Sequence, residues 1–417
     1  MPAAGLLGLL AFPALAWALS ENRRAFPWRA LAAGLALQAA LGWLILRTGA
    51  GRAFFQSLDD TFRTLLGFAG KGAAMVFGPL ADEALLAEKW GPENAFIFVV
   101  TVTGTIVLVS ALSAALYHYG VLQLVVRGMA WVMRRAMGTS GSESLAAAAN
   151  VFMGQTEAPL VVRPYLPGMT RSELLALMTG GMATIAGGVL AAYVSFGISA
   201  GHLLTASVMS APAALMIAKI MLPATAPAAS TRAAPPPGAE EDPPVNGLDA
   251  LCRGAQDGVK LAINVMAMLI AFVALVALVN HLLSLALGLL GVVNTTPLQT
   301  FLGWVNAPFA WLMGVPAQDC RLVGSLLGER VVLNEFIGYL SLGNAIKDGA
   351  LQPRSAVIAT YALCGFANFA SIAIQVGGIG ALVPSRRADL ARLGLKAMTG
   401  GLLTCYTTAS LAGLLTP

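Results

Sequence analysis

Long apolar stretches, separated by short polar ones, dominate the pattern of hydrophobic and polar positions along the 417-residue chain. A helix that crosses a bilayer needs about 20 mainly apolar residues. By this measure the pattern predicts eight transmembrane helices, at 3–20, 29–47, 96–118, 174–198, 202–222, 260–288, 356–383 and 388–414. We therefore expect an all-α polytopic membrane protein.

Two apolar segments are amphipathic and do not fit a simple span. Residues 121–137 carry Arg127, Arg134 and Arg135 at helical spacing, and residues 298–315 carry tryptophans. Charged and apolar faces on one helix are typical of helices that lie in the membrane interface. We expect interfacial helices at both places.

Two further segments, 143–168 and 318–345, are polar in the middle and interrupted by glycine or proline. Each is long enough to enter and leave the membrane on one side but too short to cross it twice. Irregular backbone is tolerated at membrane depth only where it is buried in protein or lines a cavity. These segments predict two re-entrant hairpins.

A proline-rich polar linker at 223–246 divides the chain into two halves of similar design. In each half a hairpin is followed by a glycine-rich or interrupted helix, and both hairpins contain Gly-x10-Tyr-Leu. The predicted units begin with a scaffold of three N-terminal spans at 1–120, an interfacial helix at 121–142 and the first hairpin with two helices at 143–222. A cytoplasmic linker follows at 223–246. The remaining units are a scaffold helix with an external amphipathic helix at 247–317 and the second hairpin with the last two helices at 318–417.

The distribution of basic residues predicts the orientation. If the N-terminus is outside, most of the 25 Lys and Arg residues fall on the inner side, as the positive-inside rule requires. The two hairpins then enter from opposite sides of the membrane. Inverted repeats with hairpins and broken helices are typical of secondary transporters, whose sites lie near the midplane. Channels can also contain re-entrant loops, so the architecture favours a transporter over a channel.

Composition agrees with a membrane protein and argues against other classes. Only 11% of the residues are charged, whereas soluble domains average about 25%. The net charge of +5 comes with no basic cluster interleaved with aromatics, so we expect no nucleic-acid partner. The sequence contains no HExxH, GxSxG or P-loop motif, and its four cysteines have no metal or redox spacing. We therefore expect that the chain is not an enzyme.

One carboxylate lies inside each predicted hairpin: Glu157 in the first and Glu335 in the second. Ionised groups at membrane depth are costly and usually mark a functional site. The alternative is that these carboxylates cap hairpin helices or pair with Arg163 and Arg330. Two carboxylates, each at an interruption of its hairpin, favour a buried polar site for a small hydrophilic solute.

Asn368 and Ser371 interrupt the apolar run 356–383. Unwinding there would free backbone groups and leave both side chains able to bind a ligand, although they could instead hold two helices together. In the first half, oxygen atoms that could bind sodium come from the side chains of Asn150 and Thr184 and the carbonyls of Met153 and Ile185. Sodium sites often use carbonyls that are released where helices unwind.

These motifs resemble the concentrative nucleoside transporters, in particular sodium-coupled bacterial members. The resemblance rests on GQTEAPL at 154–160, VRPYLP at 162–167, TIAG at 184–187 and LLTASVMSAP at 203–212. Asn-Glu-Phe at 334–336 and Gly-Phe-Ala-Asn at 365–368 agree in the same order. The resemblance covers about 95–415 and excludes the first two helices and the linker.

The resemblance implies a homotrimer in which each protomer has a scaffold and a mobile transport domain that moves by an elevator-like motion. It also implies a nucleoside substrate such as uridine, cytidine or adenosine, with sodium as the coupling ion. The expected location is the inner (plasma) membrane, where lipids surround the protein. A proton-coupled symporter and an uncoupled channel or receptor stay open as alternatives.

The resemblance assigns roles to individual residues. The nucleobase would be met by Gln155, Thr156 and Glu157, with Val189 flanking it and Phe366 nearby. The ribose would be bound by Glu335, Asn368 and Ser371. The sodium ion would be held by Asn150, Met153, Thr184 and Ile185, where many relatives have serine in place of Thr184.

Overall fold

The computed structural model describes residues 2–91, 97–224, 244–289, 291 and 296–416, and within them it contains helices and no strand. Most of the predicted linker, residues 225–243, lies outside the described residues. The helices in chain order are α1 Pro2–Ala18, α2 Trp28–Arg47, α3 Gly49–Phe77, α4 Glu83–Trp90, α5 Phe98–His118, α6 Val121–Met137, α7 Gly141–Ala149, α8 Ala158–Val161, α9 Arg171–Ala183, α10 Gly187–Ser195, α11 Ala200–Met221, α12 Gly247–Gly288, α13 Pro297–Leu312, α14 Cys320–Val332, α15 Glu335–Lys347, α16 Pro353–Leu363, α17 Phe369–Leu382 and α18 Arg387–Leu415.

The predicted all-helical, polytopic class is confirmed. In the described part of the chain, six helical segments are long and apolar enough to cross a membrane, at 28–47, 49–90, 99–118, 171–195, 200–221 and 247–288. Two predicted spans are each divided into two helices: α9 and α10 flank one break, and α16 and α17 flank the other. The predicted hairpins consist of α7 with α8 and of α14 with α15.

One end of the helical bundle, here called the basic end, collects basic side chains from distant parts of the chain. Glu21, which follows α1, accepts hydrogen bonds from Arg171 at the start of α9 and from Lys396 in α18. The hydrogen bond and charge of Lys396 lower the pKa of Glu21 below its usual value. Arg386 donates to the carbonyl of Pro167 at 3.1 Å, which brings the end of the first hairpin to the same place.

A buried carboxylate fastens the open end of each hairpin. In the first hairpin, Glu143 pairs with Lys219 of α11 at 2.6 Å, and both side chains are almost fully buried. In the second, Asp319 accepts hydrogen bonds from the Ser355 hydroxyl at 2.5 Å and the Gln352 amide at 3.2 Å. The first contact lies near the basic end, because Lys219 is close to the end of α11, while the second lies at the opposite, distal end, because Ser355 is close to the start of α16 and the two helices run in the same direction. The two hairpins therefore open toward opposite ends of the bundle.

Helix α3 is a long helix in a segment where the sequence pattern predicted no span. Its first half contacts the start of α11, where Asp59 accepts hydrogen bonds from Ser199 and the Gly201 amide. Its second half contacts Gly104 near the start of α5 through Ala69. Both contacts are at the distal end, because α5 and α11 both start there. This placement agrees with a helix that lies along that end of the bundle.

Candidate transport site

Glu335 is the first residue of α15, at the tip of the second hairpin. The preceding Asn334 caps this helix by accepting a hydrogen bond from the Ile337 amide at 3.0 Å, as short polar side chains do at helix starts. The Glu335 carboxylate is buried, with one oxygen 3.1 Å from the Tyr193 hydroxyl and the other 2.9 Å from the Asn368 amide nitrogen. Donors from α10 and from the α16–α17 break therefore meet at this carboxylate.

Asn368 is oriented by the helix that it caps. Its side-chain oxygen accepts a hydrogen bond from the Ser371 amide at 2.8 Å. This bond caps the start of α17, directly after the break. Because the oxygen is used in the cap, the amide nitrogen is left to donate to Glu335. The cap thus determines that the side-chain nitrogen of Asn368, and not its oxygen, points to the second hairpin.

Gln155 joins the first hairpin to α17. Its amide nitrogen donates to the Ser371 hydroxyl at 3.0 Å, and its oxygen accepts from Gln375 at 3.1 Å. Gln375 also donates to the carbonyl of Met178 in α9. These contacts depend on Gly181, since a Cβ there would lie 2.8 Å from the Gln375 nitrogen and 3.0 Å from the Gln155 Cβ.

The neighbouring residues of the first hairpin are more open. Thr156 and Glu157 are exposed, and one Glu157 oxygen accepts a hydrogen bond from the Gly154 amide at 3.0 Å. The Thr156 methyl group lies close to Gly378 of α17. Glu157 therefore closes the turn of its own hairpin, its side chain makes no capping hydrogen bond to α8, and its carboxylate stays exposed.

The candidate sodium ligands lie around the α9–α10 break. Asn150 is fully buried, and neither its side-chain oxygen nor its nitrogen has a hydrogen-bond partner among the described residues. The Asn150 nitrogen lies against Gly180, whose carbonyl accepts a hydrogen bond from the Thr184 hydroxyl at 3.0 Å. The Gly187 amide donates to the Phe152 carbonyl at 3.2 Å, which places Met153 and Ile185 in adjoining segments.

An unpartnered, buried amide is costly unless a ligand binds it. The Asn150 oxygen therefore fits a cation, and the donor set of amide, hydroxyl and carbonyl oxygens suits sodium. Val189 and Phe366 lie at the two breaks as predicted from the chain order, and both are buried in the apolar core.

Sequence reasoning did not identify Tyr193 and Gln375 as site residues. Tyr193 follows Val189 by four positions and Gln375 follows Ser371 by four, so each lies on the same helical face as a predicted residue. The signal in the sequence was a polar side chain four positions after a predicted site residue, inside an apolar helix.

Two hairpins that open toward opposite ends, with polar groups of two interrupted helices between them, define a secondary transporter of the inverted-repeat class. Family models agree along most of the chain. Residues 202–413 match the model described as "Na+ dependent nucleoside transporter C-terminus", residues 7–80 match its N-terminal counterpart, and residues 99–200 match "Nucleoside recognition". The chain therefore belongs to the family of Na⁺-dependent nucleoside transporters, which are not enzymes and for which sodium is the coupling ion.

Individual relatives support the same conclusion. The transporter YutK of Bacillus subtilis is 42% identical over 98% of this chain and 98% of its own length. Sodium/nucleoside cotransporter 1 of Mus musculus is 39% identical over 98% of this chain and 63% of its own length. The structure of CNTnw in an inward-facing, substrate-bound state matches with a TM-score of 0.92 at 40% identity, covering 100% of this chain and 98% of that one. A variant of CNTnw in an outward-facing state matches with a TM-score of 0.94.

Proposed function

We propose that this chain is a symporter that imports nucleosides with sodium across the inner membrane by an elevator-type motion. The observation that carries the proposal is the Glu335 carboxylate, buried at a hairpin tip and held by donors from two other elements. An ionised carboxylate can accept charge-assisted hydrogen bonds from ribose hydroxyls. The similarity to solved inward-facing and outward-facing states of CNTnw supports alternating access.

The proposed pocket has one side in each half of the chain. On the ribose side, Glu335 accepts from the sugar hydroxyls, and Asn368 and Ser371 add groups that donate and accept. On the base side, Gln155, Thr156 and Glu157 match the donors and acceptors of the base edge. Val189 and Phe366 supply apolar surface at the breaks.

Ligand binding in this pocket is an exchange of hydrogen bonds. Gln155 bonds to Ser371, and Asn368 bonds to Glu335, across the two sides of the site. A nucleoside that enters must replace these bonds with its own, because polar groups left unpaired in a dry site are costly. An analogue without a ribose hydroxyl should therefore bind poorly.

The proposed sodium site, Asn150, Met153, Thr184 and Ile185, joins the first hairpin to the α9–α10 break. Sodium bound there would stabilise the hairpin in the position that presents Gln155 to the base. Substrate and ion binding would thus be coupled through one short segment.

Assembly and orientation belong to the same proposal. We infer a homotrimer surrounded by lipid, since apolar side chains such as Ile270 and Val273 of α12 are exposed on the single chain. The basic end would face the cytoplasm under the positive-inside rule. The N-terminus would then lie outside, because α1 starts at the distal end.

Uptake into proteoliposomes, with sodium and pH gradients imposed separately, tests the proposal. We expect saturable uridine uptake that is lost when choline replaces sodium at fixed pH, with cytidine and adenosine as competitors. Uptake that persists with a pH gradient alone would establish the proton-coupled alternative. Uptake that never exceeds the external concentration would establish a channel and overturn the proposal.

A further inference from the structure

Helix α6 presents both apolar and basic side chains on its exposed surface. Its buried face consists of residues at helical spacing, namely Val126, Ala130, Met133 and Met137. On the other faces Leu124 is 74% exposed and Trp131 is 62% exposed, and three arginines lie among them. Exposed tryptophan beside arginine is typical of a helix at the level of lipid headgroups.

A cavity of about 170 Å³ lies between α6 and the first helix of the first hairpin, α7. It is lined by residues of both helices, namely Arg127, Ala130, Trp131, Arg134, Gly141 and Leu145. Arg127 and Arg134 are exposed, and neither forms an ion pair or side-chain hydrogen bond within the described part of the chain. The cavity therefore offers two guanidinium groups without a counter-charge.

The backbone of α6 sets the spacing of the two arginines. Arg127, Trp131 and Arg134 follow one another at spacings of four and three, which places them on one face of α6. Arg29 of α2 anchors the end of this helix by donating to the carbonyls of Arg135 at 2.8 Å and Ala136 at 3.1 Å. A guanidinium binds phosphate oxygens in a bidentate manner, and a tryptophan beside it suits the boundary between headgroups and acyl chains.

We propose that this cavity binds the phosphate of an anionic phospholipid headgroup, such as that of phosphatidylglycerol. The charge of the arginines favours an anion, and the exposed apolar surface of α6 favours acyl chains beside it. A lipid meets both requirements, whereas free phosphate meets only the first.

The site would also link the lipid to transport. Its walls come from α6, the predicted interfacial helix, and from α7, the first helix of the first hairpin. If the hairpin moves relative to α6, as the proposed function requires, the cavity changes shape during transport. Lipid binding itself is independent of that proposal and can be tested without measuring uptake.

Native mass spectrometry of the full-length protein, reconstituted in phosphatidylcholine vesicles with a rising share of phosphatidylglycerol, tests the proposal. We expect wild-type protein to retain phosphatidylglycerol, and the double variant Arg127→Gln/Arg134→Gln to bind it roughly thirtyfold more weakly. This figure follows from about a factor of five per basic residue near an anionic surface. Arg135→Gln is the matched control, since Arg135 is exposed on the same helix but does not line the cavity.

Two outcomes would overturn the proposal. A loss in Arg135→Gln as large as that in Arg127→Gln alone would show that the surface charge of α6, and not the cavity, attracts the lipid. Displacement of the lipid by inorganic phosphate at millimolar concentration would show that the cavity recognises the phosphate group alone. Retention of phosphatidylglycerol by a protein that does not transport nucleosides would support the lipid site while counting against the proposed function.

Discussion

The two hairpins carry the same kind of residue at their tips but use it differently. In the second hairpin Glu335 is buried and bonded to Tyr193 and Asn368, which belong to other elements. In the first hairpin Glu157 is exposed and bonded to the amide of Gly154, within its own turn. The second carboxylate is fixed before a ligand arrives, while the first is free to adapt to one.

The same difference appears in the amides near each tip. Asn368 uses both ends of its side chain, one for the helix cap and one for Glu335. Asn150 uses neither end within the described residues, although it is fully buried. A satisfied polar group contributes to a rigid site, and an unsatisfied one is a place where a ligand supplies the missing contact. This comparison supports the proposal that the second half binds the sugar and the first half the ion.

The largest effect is expected from Glu335→Gln. The amide removes the negative charge that accepts from Tyr193, Asn368 and the proposed ribose hydroxyls, and each hydrogen bond to a charged group contributes about 1.5–3 kcal/mol. Sodium-driven uridine uptake should fall by at least about a hundredfold. Glu329→Gln, in the same hairpin, is the control for loss of a carboxylate. Uptake at the wild-type rate in Glu335→Gln would remove the ribose role.

Asn150→Ala should act on sodium more than on the nucleoside. The substitution removes the only side-chain oxygen of Asn150, so the sodium concentration for half-maximal uptake should rise by about tenfold or more. At saturating sodium the apparent KM for uridine should stay close to that of the wild type. The measurement is uptake across a sodium series at fixed pH. An unchanged sodium dependence would contradict the assignment of the ion to this half.

Tyr193→Phe tests the support of the second carboxylate. It removes one hydroxyl donor and leaves the ring, which stacks on Tyr339 at 4.3 Å between ring centroids. Because a single hydrogen bond to a charged group is lost, affinity for uridine should fall by roughly tenfold. Binding can be followed by calorimetry on the purified protein. A loss equal to that in Glu335→Gln would mean that Tyr193 contacts the ligand itself.

Glu157→Gln should have the smallest effect of the four. The amide oxygen can still accept from Gly154, and the exposed carboxylate has no buried partner to leave unpaired. We expect a loss of about fivefold or less in uridine affinity, within the range for one neutral hydrogen bond. Competition between uridine and adenosine in this variant would show whether base preference changes. A loss as large as in Glu335→Gln would erase the distinction between the hairpins.

The sequence predicted most of the helices and the two breaks, because apolar length and interruption by polar residues are local properties, but it did not predict α3. The pattern singled out Glu335 and, separately, Asn368 with Ser371, and the resemblance to nucleoside transporters brought the three into one hypothesis. The sequence did not identify Tyr193 or Gln375, because their roles depend on which helix faces the site. Nor did it show that Glu157 would be exposed and Glu335 buried, since burial is decided by the packing of distant segments.

The hydrogen bond between Gln155 and Ser371 joins residues that are 216 positions apart in the chain. During synthesis at about 5–20 residues per second, the first hairpin waits on the order of ten to forty seconds before its partner is made. During that interval the Gln155 amide must form its hydrogen bonds with water, with lipid headgroups or with the insertion machinery. Premature termination in the second half would therefore leave the Gln155 amide without this partner.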